Sequence, residues 1–223
     1  MKLPITLFIA VFFLNSCKNN ANNHQDQSTA YAEPVQTQAV DGYKRAYFAS
    51  GCFWCVEAVF ESLKGVKEAV SGYSGGSEKN PTYNQVSYGK TGHAESVEVF
   101  YDPKVIDYQT LVDVFFGSQD PTTPNRQGPD KGRQYRSIAF YQNEEEKEII
   151  QNTIDRLNKT TYDGEIVTEV VPFQKFWKAE DYHQNYEQHN PDNPYIQNVS
   201  IPRINRFKAK FPELLKDNAS LHE

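Results

Sequence analysis

The amino-acid sequence predicts an α+β domain, a mixed sheet with helices packed on it. Apolar residues recur at helical spacing in some segments and alternate with period two in others. The two kinds of segment interleave, but the gaps between strands are too uneven for a regular βαβ barrel. The 223 residues are 38% hydrophobic and 13% aromatic, enough for one well-packed core.

Folding signals begin near Tyr43, where Tyr43 to Ala49 alternates as a strand. After Ser50-Gly51, Val56, Val59, Phe60 and Leu63 lie on one helical face, with Glu57 and Glu61 opposite, and Gly65 stops the helix. A second strand is predicted over Val66 to Tyr73 and a third over Glu95 to Tyr101. Asp107 can cap a helix whose Tyr108, Leu111, Val112, Phe115 and Phe116 share a face. A strand follows at Arg136 to Tyr141. Then comes a helix from about Glu144 to Asn158, capped by Asn143 and burying Ile150, Ile154 and Leu157. Glu165 to Val171 reads as a strand, Glu180 to His189 as a short helix and Ile201 to Lys216 as a basic amphipathic helix with a solvated face. Two connections, Ser74 to Ala94 and Gly117 to Gln134, are long and rich in Gly, Pro, Asn and Asp; loops of that length tend to carry function.

The formal net charge of −6 argues against a nucleic-acid partner, which calls for a basic face. Three cysteines are too few for a disulfide scaffold or a four-cysteine zinc site. The N-terminus reads as an address. Met1-Lys2 is followed by the apolar run Leu3 to Leu14, short for a membrane span and suited to a signal peptide over residues 1–16. Leu14-Asn15-Ser16-Cys17 resembles a bacterial lipobox, which implies cleavage before Cys17 and its acylation. Lys18 in place of an Asp retention signal is compatible with the outer membrane of a double-membrane cell. The polar stretch to residue 42 lacks apolar periodicity and reads as a flexible tether to an extracytoplasmic globule.

The strand-to-helix corner Gly51-Cys52-Phe53-Trp54-Cys55 carries the strongest chemical signal. Cys52 falls at a helix start, where free N–H groups and the dipole favour a thiolate. Cys55, three residues on, shares its face and can reach it, as dithiol redox chemistry requires. Two structural cysteines, or half a zinc site completed by His93, His183 or His189, are the alternatives; no ligand spacing supports the second. Glu95 shares a strand face with Val97, Val99 and Tyr101, where desolvation would favour a neutral, proton-donating carboxyl. A solvated Glu95 just outside the strand fits the spacing equally well. Tyr83 and Tyr135 lie on or beside the two long loops.

Together, GCFWCVEAVF from Gly51, GYSGG from Gly72, NPTY from Asn80, TGHAESVEVFYDP from Thr91, RQGPDKGRQYRSIAF from Arg126 and AEDYHQNY from Ala179 resemble the type A methionine sulfoxide reductases, the peptide-methionine (S)-S-oxide reductases. The resemblance implies an α+β fold with a ferredoxin-like core, a catalytic domain over residues 43–216 and a short tail at 217–223. It implies reduction of the S epimer of methionine sulfoxide, in oxidised proteins or free, without a cofactor or metal. Cys52 matches the nucleophile, Glu95 the acid for the sulfoxide oxygen, and Tyr83 and Tyr135 the hydroxyls that bind that oxygen. Phe53 and Trp54 match the pocket for the S-methyl group, and Asp130, His183 and Tyr186 match polar residues around it. Many members carry resolving cysteines in a Gly-rich tail. Here no Cys follows residue 55, so the resemblance implies a Cys52–Cys55 disulfide recycled by a thioredoxin-like donor; oligomeric state stays open, with a monomer as the default. The C-x-x-C pair also fits a general thiol–disulfide oxidoreductase, and an aromatic cleft on a surface lipoprotein would fit a peptide binder.

Overall fold

The computed structural model describes residues 32–217. The Leu3–Leu14 run, Cys17 and the first part of the polar stretch lie outside the described residues. The chain forms β1 (Lys44–Ser50), α1 (Phe53–Glu61), β2 (Val66–Ser74), α2 (Tyr83–Ser87), β3 (Ala94–Tyr101) and α3 (Tyr108–Gly117). The short hairpin β4 (Arg126–Gln127) and β5 (Asp130–Lys131) follows, then β6 (Ser137–Tyr141) and α4 (Glu144–Leu157). The C-terminal part holds β7 (Glu169–Pro172), β8 (Trp177–Lys178), α5 (Tyr186–His189) and α6 (Ile201–Lys210). Among the described residues no helix is long and apolar enough to cross a membrane.

β1 pairs antiparallel with β3 on one side and β6 on the other, and β3 pairs antiparallel with β2. β1 and β2 therefore run parallel, joined through α1, with β3 inserted between them. In the same way β3 and β6 run parallel around β1, joined through α3. Two interlocked split β–α–β units of this kind make the ferredoxin-like arrangement. β8 extends the β2 edge and β7 pairs parallel with β6, so the mixed sheet has the order β7-β6-β1-β3-β2-β8.

The period-two alternation of β1 feeds both faces of the sheet. Ala46 and Phe48 join the main core under α1, α3 and α6, while Tyr47 and Ala49 pack with Ile138, Phe140 and Phe173 on the other face. The caps hold as predicted: Asp107 accepts from Thr110 N–H at 2.8 Å and Asn143 from Glu146 N–H at 2.9 Å. The two long connections contain structure of their own, α2 in the first and the β4–β5 hairpin in the second.

Four expectations change. Glu57 is buried at 2% exposure, because α1 is covered on its far side by the segment around α5; it accepts from Ser71 Oγ and Asn185 N–H. The stretch 180–189 is a 3-10 turn at Asp181–His183 and a separate short α5, broken by Asn185 at φ 53. The strand expected from Glu165 starts only at Glu169. The last helix ends at Lys210, two residues before Pro212, and Arg203 and Lys208 on it are buried rather than solvated.

Candidate active site

β1 ends at Ser50, and Gly51 turns the chain at φ +86 into α1. A Cβ at Gly51 would sit 2.5 Å from Cβ of Gln127, so both the backbone angle and the space demand glycine. Cys52 is the N-cap of α1 and makes no side-chain cap bond. Glu95, the second residue of β3, instead reaches the helix end: Phe53 N–H donates to its Oε2 at 3.1 Å. Glu95 is 2% exposed and stands in register opposite Tyr73 of β2. Burial pushes its carboxyl up to about 8, against the lowering effect of the Phe53 N–H and with help from the negative charge of Asp130. Glu95 is thus neutral at neutral pH.

Cys52 and Cys55 are both buried free thiols that hydrogen-bond to one another. Such a pair loses its protons jointly. The bond from Cys52 lowers Cys55 to about 7 despite burial, and the Arg203 charge and the Ser200 hydroxyl assist. Cys52 is pushed well above its ordinary value by burial, by Cys55 and by Glu95. Burial thus opposes the charge that the helix end favours on Cys52, and the two thiols share the first ionisation of the pair.

The aromatic residues from Phe53 onward build a cleft beside this pair. The Trp54 ring stacks on Tyr186 with centroids 3.8 Å apart, and its Nε1–H donates to His183 Nδ1 at 3.2 Å. That bond makes Nδ1 the acceptor, and burial keeps His183 neutral, so Nε2 carries the proton. Among the described residues Nε2 has no hydrogen-bond partner. Phe53 lies 5.0 Å and Tyr83 4.2 Å from the His183 ring, centroid to centroid. Glu180 ties the cleft together, accepting from Tyr73 Oη–H at 2.8 Å and Tyr83 N–H at 2.9 Å. Tyr83 on α2 and Tyr135 on the turn before β6 are both half-buried. Burial raises both phenols above the ordinary tyrosine value, so both stay protonated. Asp130 on β5 accepts from Tyr195 Oη–H at 2.6 Å.

The structure therefore gathers Cys52, Cys55, Glu95, Phe53, Trp54, Tyr83, Tyr135, Asp130, His183 and Tyr186 around one corner. Such a corner can present a protonated acid and phenol donors to an oxygen while a thiol faces the atom bearing it. Comparison with known proteins decides among the chemistries. The peptide methionine sulfoxide reductase family pattern matches residues 44–215. The chain belongs to this family.

A peptide methionine sulfoxide reductase of Rhodopirellula baltica is 45% identical over 185 residues, covering 83% of this chain and 96% of that one. The corresponding protein of Pasteurella multocida is 48% identical, covering 78% of this chain and 99% of that one. Among solved structures, reduced Mxr1 from Saccharomyces cerevisiae superposes with a TM-score of 0.66 at 33% identity, over 70% of this chain and 91% of that one. Methionine sulfoxide reductase A of Corynebacterium diphtheriae superposes with a TM-score of 0.62 at 31% identity, over 73% of this chain and 87% of that one.

In this reductase fold, sequence reasoning missed three residues. Tyr195 orients Asp130, Glu180 braces the cleft, and Arg203 adjoins Cys55 while binding Ser118 O at 2.9 Å and Ser50 Oγ at 3.2 Å. The Asp130–Tyr195 and Arg203–Ser50 contacts join segments more than sixty residues apart, beyond the reach of any local pattern. Glu180 lies inside the AEDYHQNY stretch, where a lone carboxylate gives no signal of its own.

Proposed function

We propose that the protein reduces the S epimer of methionine sulfoxide, in oxidised proteins and as the free amino acid, to methionine. The observation that carries this reading is the Phe53 N–H bond to Glu95, which holds a neutral carboxylic acid beside Cys52. A sulfoxide is a poor electrophile until its oxygen is protonated, so acid and thiol must act together.

The sulfoxide oxygen faces Glu95 and the Tyr83 and Tyr135 hydroxyls, with the S-methyl group against Phe53 and Trp54. Cys55, paired with Cys52, takes the proton of Cys52 as its sulfur attacks the substrate sulfur. Glu95 delivers its proton to the oxygen. The S–O bond then breaks with the oxygen passing to Cys52, which releases methionine and leaves a Cys52 sulfenic acid. Cys55 attacks that sulfur, water departs, and a Cys52–Cys55 disulfide remains. A thioredoxin-like donor returns it to the dithiol. Asp130, His183 and Tyr186 line the cleft in this reading. His183 offers its Nε2–H to a substrate acceptor.

The N-terminal sequence supports an envelope location. Residues 1–16 serve as a lipoprotein signal peptide, Cys17 carries the lipid, and residues 17–42 tether a monomeric catalytic domain, residues 43–216, outside the cytoplasm. Metabolic labelling with a fatty acid, abolished by Cys17→Ala, tests that assignment.

Methionine release from S- and R-sulfoxide peptides with dithiothreitol tests the activity. Turnover confined to the S epimer is expected. Disulfide reduction without sulfoxide turnover would instead mark a general thiol–disulfide oxidoreductase, and neither activity a peptide binder.

A further inference from the structure

A cavity of about 630 Å³ lies against α6, beside Cys55. Cys55 is part of its wall and Cys52 is not. Phe53, Trp54, Tyr83, Tyr135, Glu95 and His183 are likewise absent from it, while Asp130 and the Tyr195 bonded to it are part of its wall. Arg203, Arg206 and Lys210 reach the cavity from α6 at spacings of three and four residues, one face of the helix. Arg206 and Lys210 are exposed at its mouth, while buried Arg203 stands deeper. Two carboxylates also line the cavity, Asp130 accepting from Tyr195 and Asp120 from the Thr122 N–H and hydroxyl, so the three basic groups outnumber them.

Thiol–disulfide exchange is an in-line displacement, so the attacking sulfur must approach on the side opposite the leaving sulfur. We propose that the external thiol reaches the Cys52–Cys55 disulfide at Cys55, through this α6 cavity rather than the sulfoxide cleft, and that its basic rim selects thiols carrying negative charge. The inference rests on the disulfide assigned under the proposed function. The donor thiolate bonds to Cys55 Sγ and the S–S bond breaks, which frees Cys52 as a thiolate that takes up a proton. A second donor thiol then attacks the donor sulfur, releasing Cys55 and an oxidised donor. Two electrons enter in all. Arg203 stabilises the Cys55 thiolate as it departs.

The test begins with full-length enzyme oxidised by one turnover of sulfoxide. Its disulfide is then reduced at low ionic strength with mercaptoethanesulfonate, 2-mercaptoethanol and cysteamine, which carry negative, zero and positive charge. Rates are compared on the basis of thiolate concentration. The anionic thiol is expected to outrun the cationic one by about ten-fold, and about 1 M salt to erase the difference. The double substitution Arg206→Glu, Lys210→Glu should flatten or invert the order while the 2-mercaptoethanol rate stays within about two-fold. Peptide mapping of the trapped mixed disulfide should place the donor on Cys55. Equal rates for the three thiols, or a donor trapped on Cys52, would overturn this inference alone. Sulfoxide reduction that leaves no Cys52–Cys55 disulfide would overturn the reading beneath it as well.

Discussion

Phe53 donates its backbone N–H to the Glu95 carboxyl at 3.1 Å, which joins the first turn of α1 to the start of β3 directly beside Cys52. One bond thus fixes the distance between nucleophile and acid. It also tempers the acid, since the N–H favours the carboxylate while burial favours the neutral form, with a balance near 8.

The pH dependence of sulfoxide reduction follows from that balance. Rate should rise with pH as the thiol pair begins to ionise near 7 and fall as Glu95 loses its proton near 8, a narrow bell in single-turnover kcat/KM. Glu95→Gln should slow this step by about 10²-fold or more and remove the alkaline limb. Reduction of the preformed disulfide should be spared, as stopped-flow measurement of the two half-reactions would reveal.

The two cysteines should separate by step. Cys52→Ser should lose all methionine release. Cys55→Ser should still release about one methionine per enzyme, more slowly because the proton acceptor is gone, and should fail to cycle with a thioredoxin donor. Quenched-flow product counting distinguishes these outcomes; sustained cycling by Cys55→Ser would remove Cys55 from the pathway.

Gly51→Ala should cost about 1–3 kcal/mol, since alanine is strained at φ +86 and its methyl meets Gln127. Denaturant melts measure the loss. Because Gly51 aims Cys52, sulfoxide reduction should fall as well in whatever fraction remains folded.

Glu57, raised to about 7 by burial, binds a proton in the folded chain that the unfolded chain, with an ordinary carboxyl, has already lost. The stability that Glu57 contributes should therefore be fully present below about 4.5 and be lost as pH rises to about 7. Glu95 extends the same trend to about 8. Calorimetry across this range should show a falling Tm, and Glu57→Gln should flatten the decline by a few degrees.

Local periodicity made β3 legible but left Glu95 equally placed on a buried face or in solvent, and helical spacing made α1 and the reach between Cys52 and Cys55 legible. The family motifs carried the cleft residues. What escaped depends on chain segments that meet only in three dimensions. Glu57 looked solvated because α1 alone has an outer side, until Asn185 folds over it. Arg203 looked like one more surface cation until α6 came to lie against α1 and brought its guanidinium to Ser50. The burial that opposes charge on Cys52 is likewise hidden from the sequence, since the helix end is a local feature and burial is not.

The central claim is that Cys52 and Cys55 form one attacking and resolving pair under the control of Glu95. It is tested most directly by mixing reduced enzyme with S-sulfoxide peptide in the absence of any reductant, then counting methionine and remaining thiols. About one methionine per enzyme, loss of the Cys52 and Cys55 thiols together, and no release from the R epimer are expected. Methionine release that leaves Cys55 free, or equal release from both epimers, would contradict it.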